Sequence, residues 1–401
     1  MNICKIKEVC QVNPPKKIPL SQDTDISFVP MSAVSTDGKV DLSEVITVEK
    51  VKSLSVFKDG DVIFAKITPC MENGKGAVVS NLKNGYGAGS TEFTVLRPNE
   101  THISEKWLYY YLSQKHFRWT CQQNMTGSAG QKRVPAKYLA ECLIPVPPLE
   151  EQQRIVARIE ELFSELDAAV ATLERTKEQL AVYRQAVLKE AFTKDNSWES
   201  CSLGDVIRVL TDYHSNGSYK VLKENVTLLD EPSYAIMVRS TNFEKDDFKT
   251  DLKYINQHSY YFLKKSQLFG GEVLMGKIGN AGKVYYMKSL GRPMSLAMNM
   301  FAMRFNEGIY SKFVYYYLLS SEAIADIKQY VKGVGTPTID KKSVRSLKFV
   351  YPNENRQMEI VDMIESRLSV CDKIEETVNT ALQEAEAMRQ SILKQAFAGE
   401  L

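Results

Sequence analysis

Side chains that could bind a nucleic acid are concentrated in glycine-rich loops. Lysine and backbone amides suit phosphate oxygens, whereas Asn, Gln, Arg, Ser and Thr can hydrogen-bond to the edges of bases. The first part of the chain carries such side chains at Lys66, Thr68, Asn73, Lys75, Ser90, Thr91, Ser128, Gln131, Lys132 and Arg133. The second part carries them at Arg239, Ser240, Asn242, Lys277, Asn280, Lys283, Lys332, Thr336 and Thr338. We predict that these residues contact a nucleic acid; for any single one, the alternative is a solvated hairpin loop.

Motifs of nucleotide-dependent enzymes are incomplete in this sequence. The segment 271–277 has the glycine spacing of a P-loop, but Ile278 stands where a metal-binding Ser or Thr is required. Asn13-Pro14-Pro15 resembles the motif of amino-methyltransferases, but Lys16 replaces the aromatic residue that would stack on a flipped base. The seven cysteines contain no CxxC and the four histidines show no metal-ligand spacing. We therefore predict no catalytic residue, no metal and no cofactor, and a protein that is not an enzyme by itself.

The loops alternate with segments whose composition predicts regular structure. Apolar runs predict buried strands at 61–67 and 271–278, and aromatic-rich runs predict helices at 106–113 and 312–318. The glycine-rich stretch 84–90 predicts a loop. Because the second part of the chain repeats the order of the first, the sequence predicts two similar mixed α/β domains.

Two long helices are predicted to position the two loop-bearing parts. From Ile155 onward, apolar residues recur at alternating steps of four and three, which is the a/d pattern of a coiled coil, and the pattern returns 205 positions later at Ile360. About forty residues at ~1.5 Å rise make a rod of roughly 60 Å, whose apolar seam needs a partner of equal length. We predict that the helices pair with each other; the alternative is two separate amphipathic surface helices. The predicted seam contains Ile155, Ile159, Leu162, Leu166, Leu173, Leu180, Ile360, Ile364, Ile374, Val378, Met388 and Ile392.

These features predict an α+β protein with four consecutive segments. The first mixed domain spans 1–146 and the second spans 195–351, while the coiled-coil helices span 147–194 and 352–401. Lys and Arg exceed Asp and Glu by 18 to 14 in the first domain and by 21 to 16 in the second. A basic excess that occurs twice beside glycine-rich loops favours binding of a polyanion.

The sequence also bears on location. It contains no run of eighteen apolar residues, so no membrane span is expected. The residues after Met1 lack the apolar core of a signal peptide, and we expect a cytoplasmic protein.

The chain resembles the specificity (S) subunit of type I restriction–modification systems. The resemblance is carried by the segment 144–156, the helix end 185–192 and the C-terminal run 396–401, and the order of domain, helix, domain and helix matches over the full length. The second helix departs from the family pattern: Asn353-Glu354-Asn355-Arg356 replaces the usual Pro-Leu-x-Glu, and Arg367 and Cys371 interrupt the seam. These departures predict either a weaker coil at that end or a contact with a partner subunit.

The resemblance implies two target recognition domains, each reading one half of a bipartite site in double-stranded DNA, spaced by an antiparallel coiled coil. It implies that the helices dock two modification (methyltransferase) subunits, which hold the methyl donor and methylate adenines. A restriction subunit would add an ATP-dependent nuclease and translocase. This chain would supply only specificity and assembly.

Antiparallel pairing is also favoured by symmetry. It relates the two copies by a pseudo-two-fold axis and places the domains at opposite ends of the rod, which suits a duplex with separated half-sites. One alternative is a specificity subunit of a related (type IIB-like) system that cuts on both sides of its site. Another is a coiled-coil scaffold with no role in nucleic-acid binding, which the basic domains and polar glycine-rich loops disfavour.

Overall fold

The computed structural model describes residues 2–193 and 197–401 and divides the chain into two compact units. Unit 1 comprises Met1–Glu174 and Asn379–Leu401, and unit 2 comprises Arg175–Val378. Each unit therefore contains one globular domain and parts of both long helices. The predicted boundary between residues 194 and 195 lies outside the described residues, and the four-segment division stays a prediction.

The described residues of unit 1 form ten short strands, four short α-helices, the start of the first long helix and the end of the second. We call the part from its first to its tenth strand the first globular domain. The elements are β1 (Asn2–Lys5), α1 (Ile6–Val9), β2 (Cys10–Val12), β3 (Asp25–Val29), β4 (Val45–Thr47), β5 (Ser55–Lys58), β6 (Val62–Ala65), β7 (Gly76–Val78), β8 (Tyr86–Gly89), β9 (Phe93–Pro98), α2 (Glu105–Ser113), α3 (Lys115–Gln123), α4 (Ala136–Glu141), β10 (Leu143–Val146) and α5 (Leu149–Ala191).

The strands of unit 1 form two four-stranded sheets and one terminal pair. One sheet has the antiparallel order β2-β9-β6-β7, and the other has the order β4-β3-β8-β5, in which β3 and β8 run parallel. The pair β1–β10 brings the start of the domain next to the start of α5. Trp107, on α2, is fully buried in the core that joins the first sheet to the long helices.

Unit 2 builds the same architecture again, and we call its part from β11 to β20 the second globular domain. The elements are β11 (Glu199–Ser202), α6 (Leu203–Val206), β12 (Ile207–Asp212), α7 (Tyr219–Asn225), β13 (Ala235–Val238), α8 (Ser240–Glu244), β14 (Lys253–Ile255), α9 (Gln257–Phe262), β15 (Gln267–Leu268), β16 (Val273–Gly276), β17 (Val284–Tyr286), β18 (Met294–Leu296), β19 (Met300–Phe305), α10 (Ser311–Leu318), α11 (Ser321–Tyr330), α12 (Lys341–Ser346), β20 (Lys348–Tyr351) and α13 (Glu354–Ala398).

The sheet orders of unit 2 are β12-β19-β16-β17, β14-β13-β18-β15 and the pair β11–β20. Each strand of the first domain thus has a counterpart ten places later with the same neighbours. The second domain differs by three additional helices, α7, α8 and α9, between β12 and β15. The predicted duplication of a mixed α/β domain is confirmed.

The predicted strands and aromatic helices are present, but the loop predicted at 84–90 is wrong. Its residues 86–89 form β8, which lies between β3 and β5. The glycines serve close packing: a Cβ on Gly89 would lie 2.0 Å from the Val29 carbonyl oxygen, and one on Gly87 would lie 2.4 Å from the Phe57 ring. A central strand in which every second residue is glycine is missed by a prediction that treats glycine as a strand breaker.

The long helices begin directly after proline-containing segments. Their first turns carry glutamates, Glu150 and Glu151 in α5 and Glu354 in α13. A negative charge there interacts favourably with the helix dipole. In unit 1 the start of α5 pairs with the end of α13, where Arg154 bonds to the Leu401 carbonyl at 2.9 Å. In unit 2 the end of α5 pairs with the first half of α13, where Arg367 bonds to Glu190 at 2.6 Å. The helix segments are therefore antiparallel in each unit.

Most predicted seam residues are buried or half-buried: Ile155, Ile159, Leu162, Leu166, Leu173, Leu180, Ile360, Ile364, Val378 and Ile392. Ile374 and Met388 are not, because their side chains are 40% and 55% exposed. At these two places the residue of α13 that faces α5 is the next one along the chain, Glu375 or Arg389, and both are half-buried. Glu375 of unit 2 bonds to Arg184 at 2.8 Å, and Arg389 of unit 1 lies 4.6 Å from the Phe163 ring centroid and pairs with Asp167.

The two residues that interrupt the expected seam are accommodated differently. Cys371 is 2% exposed and takes a regular buried position, since a thiol behaves as a small apolar group. Arg367 leaves the seam and forms the ion pair with Glu190 across the two helices. Neither residue breaks α13, which is continuous from Glu354 to Ala398.

Candidate nucleic-acid interface

In unit 1 two glycine-containing loops, 68–76 after β6 and 126–134 after α3, meet at one point. Thr126 and Arg133 pair as a small hairpin, and Arg133 also pairs with Ile67, the residue that follows β6 by two places. The Thr68 amide donates to the Lys132 carbonyl at 3.0 Å, and the Val134 amide donates to the Lys66 carbonyl at 2.8 Å. These backbone bonds hold two loops that are about sixty residues apart in sequence, so the structure places Lys66, Thr68, Lys132 and Arg133 together.

Two of these cations are already engaged within the domain. Lys66 donates to the Thr91 carbonyl at 2.7 Å. Arg133 forms a bidentate pair with Glu92, at 2.9 and 2.8 Å, and its remaining nitrogen donates to the Gln131 carbonyl at 2.8 Å. Hydrogen bonding to Arg133 lowers the pKa of Glu92, so the pair is ionised at neutral pH. Arg133 is therefore a residue that shapes the loop, and its free donors are few.

Lys132 is the cation that the loop junction leaves available. Its side chain is exposed, and within the described part of the chain it has no ion-pair or hydrogen-bond partner. Ser128 and Gln131 are exposed beside it, and both have side chains that can bond to base edges. These three residues keep the predicted role of contact residues.

Of the other predicted contact residues of unit 1, some bond within the domain and some are exposed. Thr68 donates to Glu72, Lys75 donates to the Met31 carbonyl at 2.8 Å, and the Ser90 hydroxyl accepts from the Glu92 amide at 3.2 Å. Asn73 is exposed, at the edge of a groove of about 870 Å³ that it shares with Arg118 and Trp119. Asn73 is therefore outside the loop junction. Thr91 is exposed next to Lys66.

A smaller groove lies against the loop junction of unit 1. Its volume is about 390 Å³, and its lining includes Asn13, Lys16, Lys66 and Thr91. Asn13 is fixed there by its side-chain oxygen, which accepts from the Val95 amide at 3.1 Å. The segment that resembles a methyltransferase motif thus faces the loop junction, with Lys16 as a cation that the sequence analysis did not assign to it.

Unit 2 joins its loops in the same way. Thr338 pairs with both Ile278 and Lys332, and the Gly279 amide donates to the Pro337 carbonyl at 2.9 Å. Lys332, Thr336 and Thr338 are exposed at this junction. Lys283 is also exposed, and no described residue pairs with its side chain.

Lys277 is tied down by a buried carboxylate. Its ammonium lies 2.7 Å from Asp212, which is 4% exposed and also accepts from Lys341 at 2.9 Å and from the Ser215 hydroxyl at 2.6 Å. Burial alone would raise the pKa of Asp212, but the bonds from Lys277, Ser215 and Lys341 hold it well below its usual value. Two lysines therefore share one carboxylate, and the cluster keeps a net positive charge.

Of the contact residues predicted at and near α8 of unit 2, two have side chains that bond within the domain, Arg239 and Asn242. Asn242 is 2% exposed: its side-chain oxygen accepts from the Arg239 amide at 2.9 Å, and its nitrogen donates to the Asp247 carbonyl at 3.1 Å. The Asn242 amide is bonded within the turn and is not presented at the surface, and its contact with a nucleic acid stays a prediction. Arg239 donates to the Asp251 carbonyl at 2.7 Å. Ser240 opens α8 and is half-buried.

Asn280 is held by a residue of α8. Its side chain donates to Glu244, which also accepts from the Tyr285 hydroxyl at 3.2 Å. This bond links α8 to the glycine-rich loop after β16.

Sequence reasoning missed the acidic partners Glu92, Asp212 and Glu244, and it missed Lys341. Carboxylates bind neither phosphates nor most base edges, so their residue type does not mark them as nucleic-acid contacts. Glu92 carried a usable signal, since it directly follows the predicted contact residues Ser90 and Thr91. No local pattern joins Asp212 to residues that lie 65 and 129 positions away.

Membrane-spanning helices and clusters of metal ligands are both absent from the described residues. In residues 2–193 and 197–401, no helix is long and apolar enough to cross a membrane. The same ranges contain no group of three or more His, Cys, Asp or Glu side chains placed to hold a metal ion.

Comparison with known proteins agrees with this architecture. The specificity subunit of the type I restriction enzyme EcoAI from Escherichia coli is 42% identical over 167 residues, which span 40% of this chain and 28% of that protein. The match to the EcoEI subunit likewise spans 27% of that protein. The StySPI specificity subunit from Salmonella potsdam is 26% identical over 389 residues, 91% of this chain and 80% of that protein.

Solved structures share the fold. A chain from a study of complex assembly and conformational transition of the type I R-M system superposes with a TM-score of 0.78 at 21% identity, covering 100% of this chain and 98% of that one. The HsdS subunit from Thermoanaerobacter tengcongensis gives a TM-score of 0.56 at 21% identity, with 100% and 97% covered. A family model described as type I restriction modification DNA specificity domain matches residues 1–179 and 196–384, so the chain belongs to the family of type I restriction–modification specificity subunits.

Proposed function

We propose that this chain is the non-catalytic subunit that gives a type I restriction–modification complex its DNA specificity. Each globular domain reads one half of a bipartite site in double-stranded DNA, and the helices set the spacing of the half-sites and dock two methyltransferase subunits. A restriction subunit, the ATP-dependent nuclease and translocase, joins this complex. The observation that carries the proposal is the loop junction built twice, on the same strand order, with different polar side chains in each copy.

The duplicated junction supports the reading of two different half-sites. In both units, backbone bonds between two distant loops hold the polar side chains in a fixed place, as recognition of base edges requires. The side chains differ: Ser128, Gln131 and Lys132 are presented in unit 1, whereas Lys332, Thr336 and Thr338 are presented in unit 2. Two copies with one framework and two sets of side chains fit a site with two unlike halves.

Exposed apolar side chains on the long helices support the docking of partner subunits. In unit 2, Tyr183, Val370 and Ile374 are 47%, 55% and 40% exposed. In unit 1, Met388 is 55% exposed. Apolar residues at helical spacing that the helix pair does not cover favour contact with further apolar surface.

The experiment for DNA reading is a methylation map. The chain is co-expressed with a methyltransferase subunit of the same restriction–modification system, and methylated adenines are located across the host genome. We expect one bipartite motif with a fixed number of unread base pairs between its halves. A continuous motif, or no methylation by a complex that assembles, would contradict the proposal.

The experiment for docking compares two positions on α13. Ile374→Asp places a charge on the exposed apolar stripe, and we expect loss of co-purification with the methyltransferase subunits while the chain itself melts as before. Ser369→Asp is the matched control, because Ser369 is exposed on the same helix away from that stripe. Equal retention of the methyltransferase by both variants would remove Ile374 from the docking surface.

A further inference from the structure

The first turn of each long helix carries a fully buried glutamine. Gln152 of α5 and Gln357 of α13 are both 0% exposed, although most polar residues of these helices face solvent. The two positions are equivalent in the duplicated sequence, since each is the fifth residue after the proline that precedes its helix, Pro147 or Pro352. A buried polar side chain at the same place in two copies calls for a physical account.

Each glutamine makes three hydrogen bonds within its own unit. In unit 1 the Gln152 oxygen accepts from the Ser104 amide at 2.9 Å, and its nitrogen donates to the carbonyls of His102 and Pro147, both at 2.8 Å. In unit 2 the Gln357 oxygen accepts from the Tyr310 amide at 2.8 Å. Its nitrogen donates to Gly308 at 3.0 Å and Pro352 at 2.8 Å. Both donors and the acceptor are used, so the amide orientation is fixed by its partners.

Each glutamine and its partners lie on three segments that must be held at one angle. Ser104 and Tyr310 are the N-cap residues of α2 and α10, the first helices of each domain after its sheets. Pro147 and Pro352 lie on the segments that enter the long helices. Each glutamine therefore ties the globular domain, the entering segment and the long helix to a single side chain.

The surroundings make this connection rigid. In unit 1 the fully buried residues Ile103, Trp107 and Ile155 belong to one apolar core, and the Trp107 indole donates to the Pro145 carbonyl at 2.8 Å. In unit 2, Phe313 and Ile360 belong to the corresponding core. Hydrogen bonds in such a dry environment are costly to leave unmade, so small rotations of the domain on its helix are opposed.

A small rotation at this junction would matter for reading DNA. A domain of about 150 residues has a radius of gyration of roughly 15 Å, so its loops lie roughly 20–30 Å from the junction. A tilt of about 10° then moves the loops by roughly 4–5 Å, which exceeds the ~3.4 Å between successive base pairs. The angle at the junction has to be held to a few degrees if the spacer length is to be unique.

We propose that Gln152 and Gln357 are positioning residues that fix the angle of each recognition domain on its own helix, and that they thereby restrict the spacer between the two half-sites. This inference rests on the proposed function, since it presumes that each domain reads one half-site. The glutamines touch no DNA in this account; they act through the orientation of the domains that do.

The test uses the full chain in complex with its methyltransferase subunits. Gln152→Met and Gln357→Met keep the side-chain length and remove all three hydrogen bonds. We expect the methylated motif to keep both half-site sequences but to accept spacers one base pair shorter and longer, with the double variant broader than either single one. Gln153→Met is the matched control, because Gln153 is exposed on the neighbouring position of α5 and should keep a single spacer.

A second variant covers the case in which the methionine variants fail to assemble. Gln152→Glu keeps the acceptor for the Ser104 amide and, when protonated, one donor for a carbonyl. Burial favours that protonated form, so we expect partial rescue and a spacer distribution between those of the wild type and the methionine variant. An intermediate spacer distribution that broadens further at higher pH would support a positioning role. A chain that is merely destabilised would lose methylation without any change in the spacer.

The outcomes separate this inference from the proposed function. A single unchanged spacer in the folded methionine variants, or in Gln152→Glu if those do not assemble, would overturn the role of the glutamines and leave the proposed function intact. A wild-type complex without a bipartite motif would instead overturn the proposed function itself.

Discussion

The two globular domains share a framework and differ in the charges of their loops. In the first domain Lys66 donates to a backbone carbonyl and Glu92 neutralises Arg133. In the second domain Lys277 and Lys341 share the buried carboxylate of Asp212. The strand order, the loop junction and the buried glutamines are the same in both. The framework therefore fixes where the loops lie, and the loop side chains are free to differ.

The shared framework includes a buried ion pair at the residue that directly precedes β6 in the first domain and β16 in the second. Asp61 is 0% exposed and is held by Arg97 through two bonds of 2.7 Å, with one backbone amide, that of Lys58, at 2.9 Å. Glu272 is 2% exposed and accepts from Arg304 at 3.1 Å and from two backbone amides, those of Phe269 and Gly270. The second carboxylate thus depends less on its arginine than the first.

This difference gives the largest expected effect. Arg97→Met should destabilise the first domain by about 3 kcal/mol, since it leaves Asp61 buried with a single donor. Arg304→Met should cost the second domain about 1–2 kcal/mol, because Glu272 keeps two amide donors. Hydrogen exchange of β6 and β16 under increasing denaturant measures each domain separately. Equal losses of protection would show that the amides do not stabilise Glu272.

Sequence reasoning reached the duplicated domains because apolar runs and aromatic helices recur in the same order. It could not place β8, since Gly87 and Gly89 are selected for close backbone approach rather than for strand propensity. It also put Ile374 and Met388 in the seam. The heptad pattern marks apolar positions but does not say which of two adjacent stripes faces the partner helix; the ion pairs of Arg184 and Arg389 decide that.

For the candidate site, sequence reasoning found the loops but not the partners within them. Lys132 and Lys283 are exposed as a contact residue requires, whereas Asn242 is consumed in a turn. Residue type shows what a side chain can bind, but which of its donors are free depends on contacts such as Asp212 with Lys277, 65 positions apart.

Lysines with and without an ion-pair partner in the domain should differ in their effect on DNA binding. Lys132→Ala and Lys283→Ala should each weaken DNA binding by about tenfold at 0.1 M salt and lower the salt slope by about one, because each removes one phosphate contact. Lys277→Met should change the slope less, since that charge is balanced by Asp212. Binding isotherms between 0.05 and about 0.3 M salt measure the slopes. An equal slope change for Lys277→Met and Lys283→Ala would mean that ion pairing within the domain does not predict DNA contact.

The smallest expected effect concerns pH and the second domain alone. The pKa of Asp212 lies below its unfolded value of ~3.9, so its bonds stabilise the domain above about pH 4, and this contribution is lost as pH falls through the folded pKa. Asp212→Asn should cost about 1 kcal/mol at pH 7, because both lysines keep contact with solvent. Denaturant unfolding at several pH values should show the difference shrinking below about pH 4. A constant difference down to pH 2 would contradict the assignment of the lysines to a charged Asp212.

The central claim, that two copies of one framework read two half-sites separately, is tested most directly by exchanging a domain. Residues 199–351, from β11 to β20, are replaced by the corresponding segment of another specificity subunit, and both long helices are left unchanged. The methylated motif is then mapped genome-wide in cells that also express the methyltransferase. We expect one new half-site, with the other half-site and the spacer as before. A motif in which both halves change together, or in which neither changes, would contradict it.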